Sequence, residues 1–445
     1  MTAEQQRIKE LEAEVAFLGN LVKDLLVKIE KLQNRKNSNN SSIPPSKDEN
    51  RPRKTNSLRT PSGKKPGGQE GHIGTTLQMI NEPDIVIEHK PTVCKGCGCA
   101  FSDQQVSLTG KRQVIDIPPI KAQYTEHRVY SALCTCGRLT KGKFPKGVKS
   151  PISYGVNVEA LIAYLYSRQY IPSERMQEIL RDVYGLAISE GTIFNILGRF
   201  AKKSKLVYEA IREKIENSKV VGSDETGICV NGKMNWGWTW QNKEATYIAI
   251  SPNRGPQTIA NNFKSGIPKA VLVHDCWKPH FKSGAHAHQL CLAHLLRELK
   301  YFEGSFAHHW APDFKQLLCD ALSLKKKLTR TQYYYPLKER TEIEERFDEL
   351  LKEELPPGMK DVATFQNRMH RYREHLFTFL YHPEVPPDNN SSERAIRNIK
   401  VKQKISGQFK SPFGAECFAI LRSITDTCLK NKQNVLSALN LIAQI

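Results

Sequence analysis

Apolar side chains recur at seven-residue spacing near the start of the chain. Ile8, Val15, Val22 and Ile29 hold one position of the repeat, and Leu11, Leu18, Leu25 and Leu32 hold the other. β-Branched residues at the first and leucine at the second predict a parallel two-stranded coiled coil over residues 1–36, hence self-association. The pattern then stops. Residues 37–80 are rich in Ser, Asn, Pro, Gly and Lys/Arg, cannot offset their ordering entropy by burial, and predict a flexible basic linker.

Short alternating runs return over residues 81–150, interrupted by VCKGCGCAF and ALCTCGR. From 151 to 215 the period is helical. One helix there is followed by a turn at Gly185, Ser189 as N-cap, and a second helix ending in Arg199, Lys202 and Lys203. That suits a helix-turn-helix-like region whose second helix offers Thr192, Asn195 and Arg199 to DNA, although helical hairpins are also common as plain packing units. After residue 216 the period switches to two: SKVVGSDETGICV, MNWGWTWQN and ATYIAISPNRG predict three strands, PQTIANNFKS a helix, and AVLVHDCW a fourth, buried strand. The stripe of Trp236, Trp238 and Trp240 reads first as core packing, with stacking on unpaired bases as the sharper alternative. A helical stretch from about 284 to 380 follows, and a last polar helix carries Glu393.

The expected fold is therefore multidomain α+β. Its parts are a coiled coil (1–36), the linker (37–80), a zinc-ribbon-like module (81–150), a helix-turn-helix-like helical region (151–215) and an α/β core (216–445) with a helical insertion. Three strands, a helix, a strand with a second Asp and, much later, a helix with a Glu is the order of an RNase H-like core.

Composition narrows the partners. A net charge of +20 favours polyanions, nucleic acid first, and the absence of a long apolar run argues against a membrane span. A cytoplasmic protein is expected. Five of the eleven cysteines are clustered, and Cys94, Cys97, Cys134 and Cys136 form two pairs suited to one structural Zn2+. The second pair has only one residue between its cysteines, so Cys99 and His127 remain alternative ligands. Asp224, Asp275 and Glu393 offer hard oxygens from three elements, the donor set for two Mg2+ ions, with Mn2+ as a substitute. Glu225 competes with Asp224, but strand neighbours face opposite ways, so only one points at the metals. Glu393 also has a structural reading, since Asn390 three residues earlier gives the form of a capping box. Behind it, Arg394, Arg397, Lys400 and Lys404 form a basic strip suited to phosphates.

The segments SDETG, VHDCW, HQLCLAHLLREL, DNNSSERAIR and GGQEGHIG resemble the signatures of the insertion sequence 66 family of bacterial transposases, of the Asp-Asp-Glu type. The resemblance covers nearly the whole chain in order. It implies a nucleoid-associated enzyme with Asp224, Asp275 and Glu393 as its catalytic triad. Such an enzyme binds the terminal inverted repeats of its element, cleaves DNA to free 3′ hydroxyls and joins them to target DNA. The chain is also similar to families with a Cys-x-x-His pair after the second Asp, here Cys291 and His294, with Arg297 one turn on; packing or positioning of the core explains these as well as catalysis does. Asn398 stands where many members have proline, which lets its helix run on. Small accessory proteins of the same element are a further class of partner. Rival readings are a dimeric DNA-binding regulator with an inactive nuclease-like core, and a nuclease without strand transfer.

Overall fold

Helix α1 (Ala3–Gln33) carries the heptad repeat, and the side chains of Ile8, Leu11, Val15, Leu18, Val22, Leu25 and Ile29 all lie bare on it. The computed structural model describes residues 3–38, 40–41, 48–49, 71, 77–145, 147–148 and 150–445, so most of the predicted basic linker lies outside the described residues. Just past α1, Asn34 donates to the carbonyl of Tyr301 at 2.9 Å and to the Ser305 hydroxyl at 2.8 Å, and the Lys36 ammonium sits 4.8 Å from the centre of the Tyr301 ring.

The chain divides into two units, one of Met1–Pro52 with Tyr124–Ile445 and one of Arg53–Gln123. In the smaller unit no described residue is buried. Among its described residues a turn runs from Cys94 to Cys99, closed by hydrogen bonds from Cys94 N–H to the Cys99 carbonyl and from Gly98 N–H to the Cys94 carbonyl, both 2.9 Å. Gly98 has φ +73°, a conformation open to glycine at little cost. In the larger unit a similar turn at Cys134–Gly137 joins strands β1 (Ser131–Leu133) and β2 (Leu139–Lys141).

Helices α2 (Val156–Ser167), α3 (Ser173–Tyr184), α4 (Glu190–Lys203) and α5 (Lys205–Glu216) come next. As the sequence predicts, Gly185 takes a left-handed C-cap (φ 67°) after α3, and the Ser189 hydroxyl accepts from Thr192 N–H to start α4. The sheet follows, with β3 (Val220–Val230), β4 (Lys233–Gln241), β5 (Thr246–Ser251), helix α6 (Pro256–Asn262), then β6 (Val271–His274) and β7 (Ala287–Leu290). The spatial order is β5-β4-β3-β6-β7; the first three are antiparallel, and β6 and β7 add in parallel. β7 departs from the expectation of unbroken helix from 284. Four residues are too few for a period to declare itself, and the helical pattern of the following LAHLLREL overruns them.

The insertion consists of α7 (Leu292–Glu303), α8 (Trp310–Lys327), α9 (Lys338–Lys352), α10 (Lys360–Arg371) and α11 (Thr378–Tyr381). Its own core is built on Trp310, Phe314, Phe347 and Phe365 and continues onto Val273 and Leu290 of the parallel strands. The chain closes with α12 (Asn390–Ser406), α13 (Pro412–Lys430) and α14 (Val435–Ala443). Side chains of α2, α4 and α5 share one hydrophobic cluster with the sheet and with α13 and α14. Trp238 and Trp240 are fully buried in that cluster with ring centroids 5.5 Å apart, which makes them core. On the opposite face α12 approaches closely: a Cβ on Gly237 would lie 3.1 Å from Ile399, and one on Gly222 only 2.6 Å from Ser392. Glycine at both positions lets the helix bearing Glu393 settle against β3 and β4. Among the described residues no helix is long and apolar enough to cross a membrane.

Candidate active site

Strand alternation sorts the two neighbouring acids. Asp224 lies on the α12 side of β3, in register with Thr239, whereas Glu225 lies on the tryptophan side, where it pairs with Arg254 at 2.9 Å and with His280 at 3.0 Å. Burial pushes Glu225 up, but His280 and Arg254 outweigh it and hold its carboxyl below the usual range. Asp224 has the opposite balance. Burial, then Glu225, Asp275 and Glu393, push it well above the usual carboxylate range, against one hydrogen bond from Glu225 N–H at 2.9 Å.

Asp275 follows β6, next to β3 in the sheet, and accepts from Trp277 N–H at 2.9 Å. Glu393 sits in the first turn of α12. The N-terminal residue is not the one the sequence suggests: Asn389, not Asn390, is the N-cap, and its side chain is turned to β3 instead of to the helix N–H groups. The Glu393 carboxylate does not serve as half of a capping box. It lies 3.3 Å from Arg297 and 3.8 Å from His294, both on α7, and 3.7 Å from Arg397. Among the described residues, the oxygens of the three acids do not all lie within 4.8 Å of one another. The three carboxylates therefore sense each other's charge at Asp224 without forming a closed single-ion cage.

Asn389 holds these pieces together. Its amide donates to the Ser223 carbonyl at 2.7 Å, its side-chain oxygen accepts from Ser392 at 2.6 Å, and its backbone N–H meets the Cys291 sulfur at 3.2 Å. The Cys291 N–H in turn donates to the His274 carbonyl, and Leu292 N–H to that of Pro387. One polar cluster thus ties the strand of Asp224, the end of the strand before Asp275, the start of α7 and the start of α12. Cys291 caps α7 instead of lying within it, and burial raises its thiol to about 11, so it stays neutral and serves as an acceptor. Burial and Arg297 lower His294.

The basic residues are unequal. Arg397 and Lys404 are exposed on α12, as is Arg394, which donates to Ser391 at 2.8 Å, while Lys400 is half-buried and donates to the Gly227 carbonyl. On α4, Asn195 and Arg199 are exposed and Thr192 is half-buried against Ser189. α12 runs unbroken past Asn398, which bonds Tyr170 and Asp426.

Each cysteine turn stands in its own unit. Backbone N–H groups of Cys97 and Gly96 lower the Cys94 thiol, and that of Cys136 lowers Cys134. Cys97, Cys99, Cys134 and Cys136 are exposed.

Sequence reasoning had no route to Asn389, Glu225 as a pairing residue, Arg254 or Trp277. The one available signal was the unusual PPDNN run ahead of Glu393. A family model described as Transposase IS66 family matches residues 151–417, more than half of the chain. Another, Family of unknown function (DUF6444), matches residues 2–78. No curated protein matches the chain. The matched segment spans all three acids and the cluster around Asn389, and the chain belongs to the IS66 family of transposases.

Proposed function

We propose that the protein is an Asp-Asp-Glu transposase that cleaves DNA at the ends of its element by Mg2+-dependent phosphodiester hydrolysis and joins the freed 3′ hydroxyls to target DNA. The observation that carries this reading is geometric: Asp224 on β3, Asp275 just after the neighbouring β6 and Glu393 in the first turn of α12, which packs on β3, bring one acid from each of three elements together. Burial with these neighbours pushes Asp224 above its usual range. Arg297 and Arg397 lie at Glu393, but among the described residues no cation pairs with Asp224 itself. The site's donors are hard oxygens, and the nearby thiol of Cys291 is held neutral, so the set fits Mg2+ or Mn2+ and not a soft metal. Asp224, Asp275 and Glu393 would hold the ions, which supply an activated water or 3′ hydroxyl and stabilise the leaving oxygen.

The chain's own residues do the positioning. Asn389 and Ser392 fix α12 on β3, and Arg297 with His294 steadies the Glu393 carboxylate. Arg394, Arg397 and Lys404, with a smaller share from Lys400, would hold the phosphate backbone, and Thr192, Asn195 and Arg199 would meet DNA from α4. Cys94, Cys97, Cys134 and Cys136 are read as ligands of one structural Zn2+, since each turn already aims N–H groups at a sulfur. The bare stripe of α1 is read as the face of a parallel dimer.

Cleavage and joining of DNA carrying the element's ends, with Mg2+ or Mn2+, is the test. Glu393→Gln, Asp224→Asn and Asp275→Asn should each abolish both while leaving folding and end binding nearly intact. Near-normal activity of folded Glu393→Gln would remove the third acid from the chemistry. Cleavage without joining in the unmodified protein would reduce the reading to a nuclease.

A further inference from the structure

The acid that strand alternation turns away from the carboxylate site anchors a second assembly. Glu225, only 2 % exposed at its side chain, binds Arg254 through one oxygen and His280 through the other. Arg254 in turn lies between two indoles, its guanidinium carbon 4.6 Å from the ring centre of Trp236 and 4.0 Å from that of Trp277. Trp238 and Trp240 on the same strand are sealed in the core, but Trp277 is 36 % exposed. Its backbone N–H holds the Asp275 carboxylate at 2.9 Å, so the indole stands two residues from a proposed metal ligand. Arg254, its side chain 38 % exposed, is itself partly open to solvent.

We infer that Trp277 and Arg254 form a nucleobase platform at the rim of the carboxylate site, receiving one unpaired base of the DNA beside the phosphate on which the acids act. This rests on the reading of Asp224, Asp275 and Glu393 given above. A large open indole backed by an ordered guanidinium is the pairing that single-stranded nucleic acid stacks on, since every base has a π-face and the cation adds to it. The anchoring is what distinguishes this indole from a chance surface tryptophan. Glu225 fixes Arg254, Arg254 fixes the ring, and Trp277 N–H fixes Asp275, so ring and acid keep a set relation. A base inside a duplex has both faces covered by its neighbours. The platform therefore selects a base that has left the stack.

The test uses the full chain with Ca2+ in place of Mg2+ and a fluorescently labelled duplex bearing a short single-stranded tail. A matched DNA lacks only the base at the first unpaired nucleotide. Binding by fluorescence anisotropy should favour the base-bearing DNA by about 5- to 150-fold, the range for stacking one base on an aromatic side chain. Trp277→Ala should bring that ratio close to one, and Trp277→Phe should keep most of it. Arg254→Ala should reduce the ratio partway. A wild-type ratio near one, or a ratio unchanged in Trp277→Ala, would overturn the platform. Loss of the ratio in Trp277→Phe as fully as in Trp277→Ala would count against stacking as its cause. Cleavage of the same DNA with Mg2+ separates the two readings. Absence of base preference with cleavage that depends on Asp224 defeats the platform alone, whereas cleavage that survives Asp224→Asn defeats the carboxylate reading and the placing of the base with it.

Discussion

The described residues among the first 150 and the 295 residues that follow hold their apolar side chains in opposite ways. Behind residue 151, Trp240, Phe200, Phe314 and Phe418 are fully enclosed. Ahead of it, Leu18 and Leu25 lie bare on α1, and among the described residues 77–145 none is buried, with Val114 93 % exposed. A chain that leaves this much apolar surface in water gains little from folding those parts alone. Under the proposed function the front would draw its order from something added to the single chain, a metal ion for the cysteine turns and a second α1 for the heptads. The rear draws it from its own side chains.

Metal removal should break this contrast most sharply. Chelation, or Cys94→Ser, should release about one zinc per chain and expose residues 81–150 to protease while the sheet stays folded. Structural zinc contributes on the order of 10 kcal/mol or more to such modules. Metal analysis with limited proteolysis checks it, and full zinc content in a variant lacking Cys94, Cys97, Cys134 and Cys136 would refute it. Next in size, Leu18→Glu with Leu25→Glu should abolish dimerisation of the full chain, because in the proposed coiled coil these leucines would supply the association energy. Light scattering reads the mass, and an unchanged dimer would mean that α1 is not the interface.

In the rear, truncation alone should suffice. Trp240→Ala should cost about 3–5 kcal/mol in denaturant unfolding, as large-to-small changes at enclosed aromatics do. A loss under 1 kcal/mol would place that region's stability elsewhere. The smallest effect concerns acid. Burial lowers His288 to about 4, while His274 bonds it at 2.9 Å. The folded form therefore binds its proton less readily than the unfolded chain, whose ordinary value is about 6.5. Its contribution is present above pH 6.5 and is lost as pH falls toward 4, on the order of 2 kcal/mol. His288→Gln should flatten the fall in unfolding midpoint over that window, and an equally steep fall would acquit His288.

The same contrast explains how far the sequence could be read. Strands β3, β4, β5 and β6 were legible because each alternates or runs apolar for long enough to show a period. Glu393 stood out because a lone acid headed a basic strip, and alternation correctly turned Glu225 away from Asp224. Other features carried no such signal. β7 has four residues. Asn389 is one of two adjacent asparagines, and only the approach of Ser223 and Cys291 from elsewhere in the chain marks it. Arg254 and Trp277 lie apart in sequence and gain meaning through their direct contact and the Glu225 that anchors Arg254.

Asn34 grips Tyr301 and Ser305 at the far end of α7, and the near end of α7 carries His294 and Arg297 against Glu393. At 1.5 Å per residue the twelve residues of α7 make a rod about 18 Å long, and the 31 of α1 a lever about 46 Å long. α7 thus touches the segment after α1 at one end and Glu393 at the other, a path between them that does not cross the sheet. If α1 pairs two chains as proposed, a shift of posture at one α1 would reach the Glu393 of its own chain along α7.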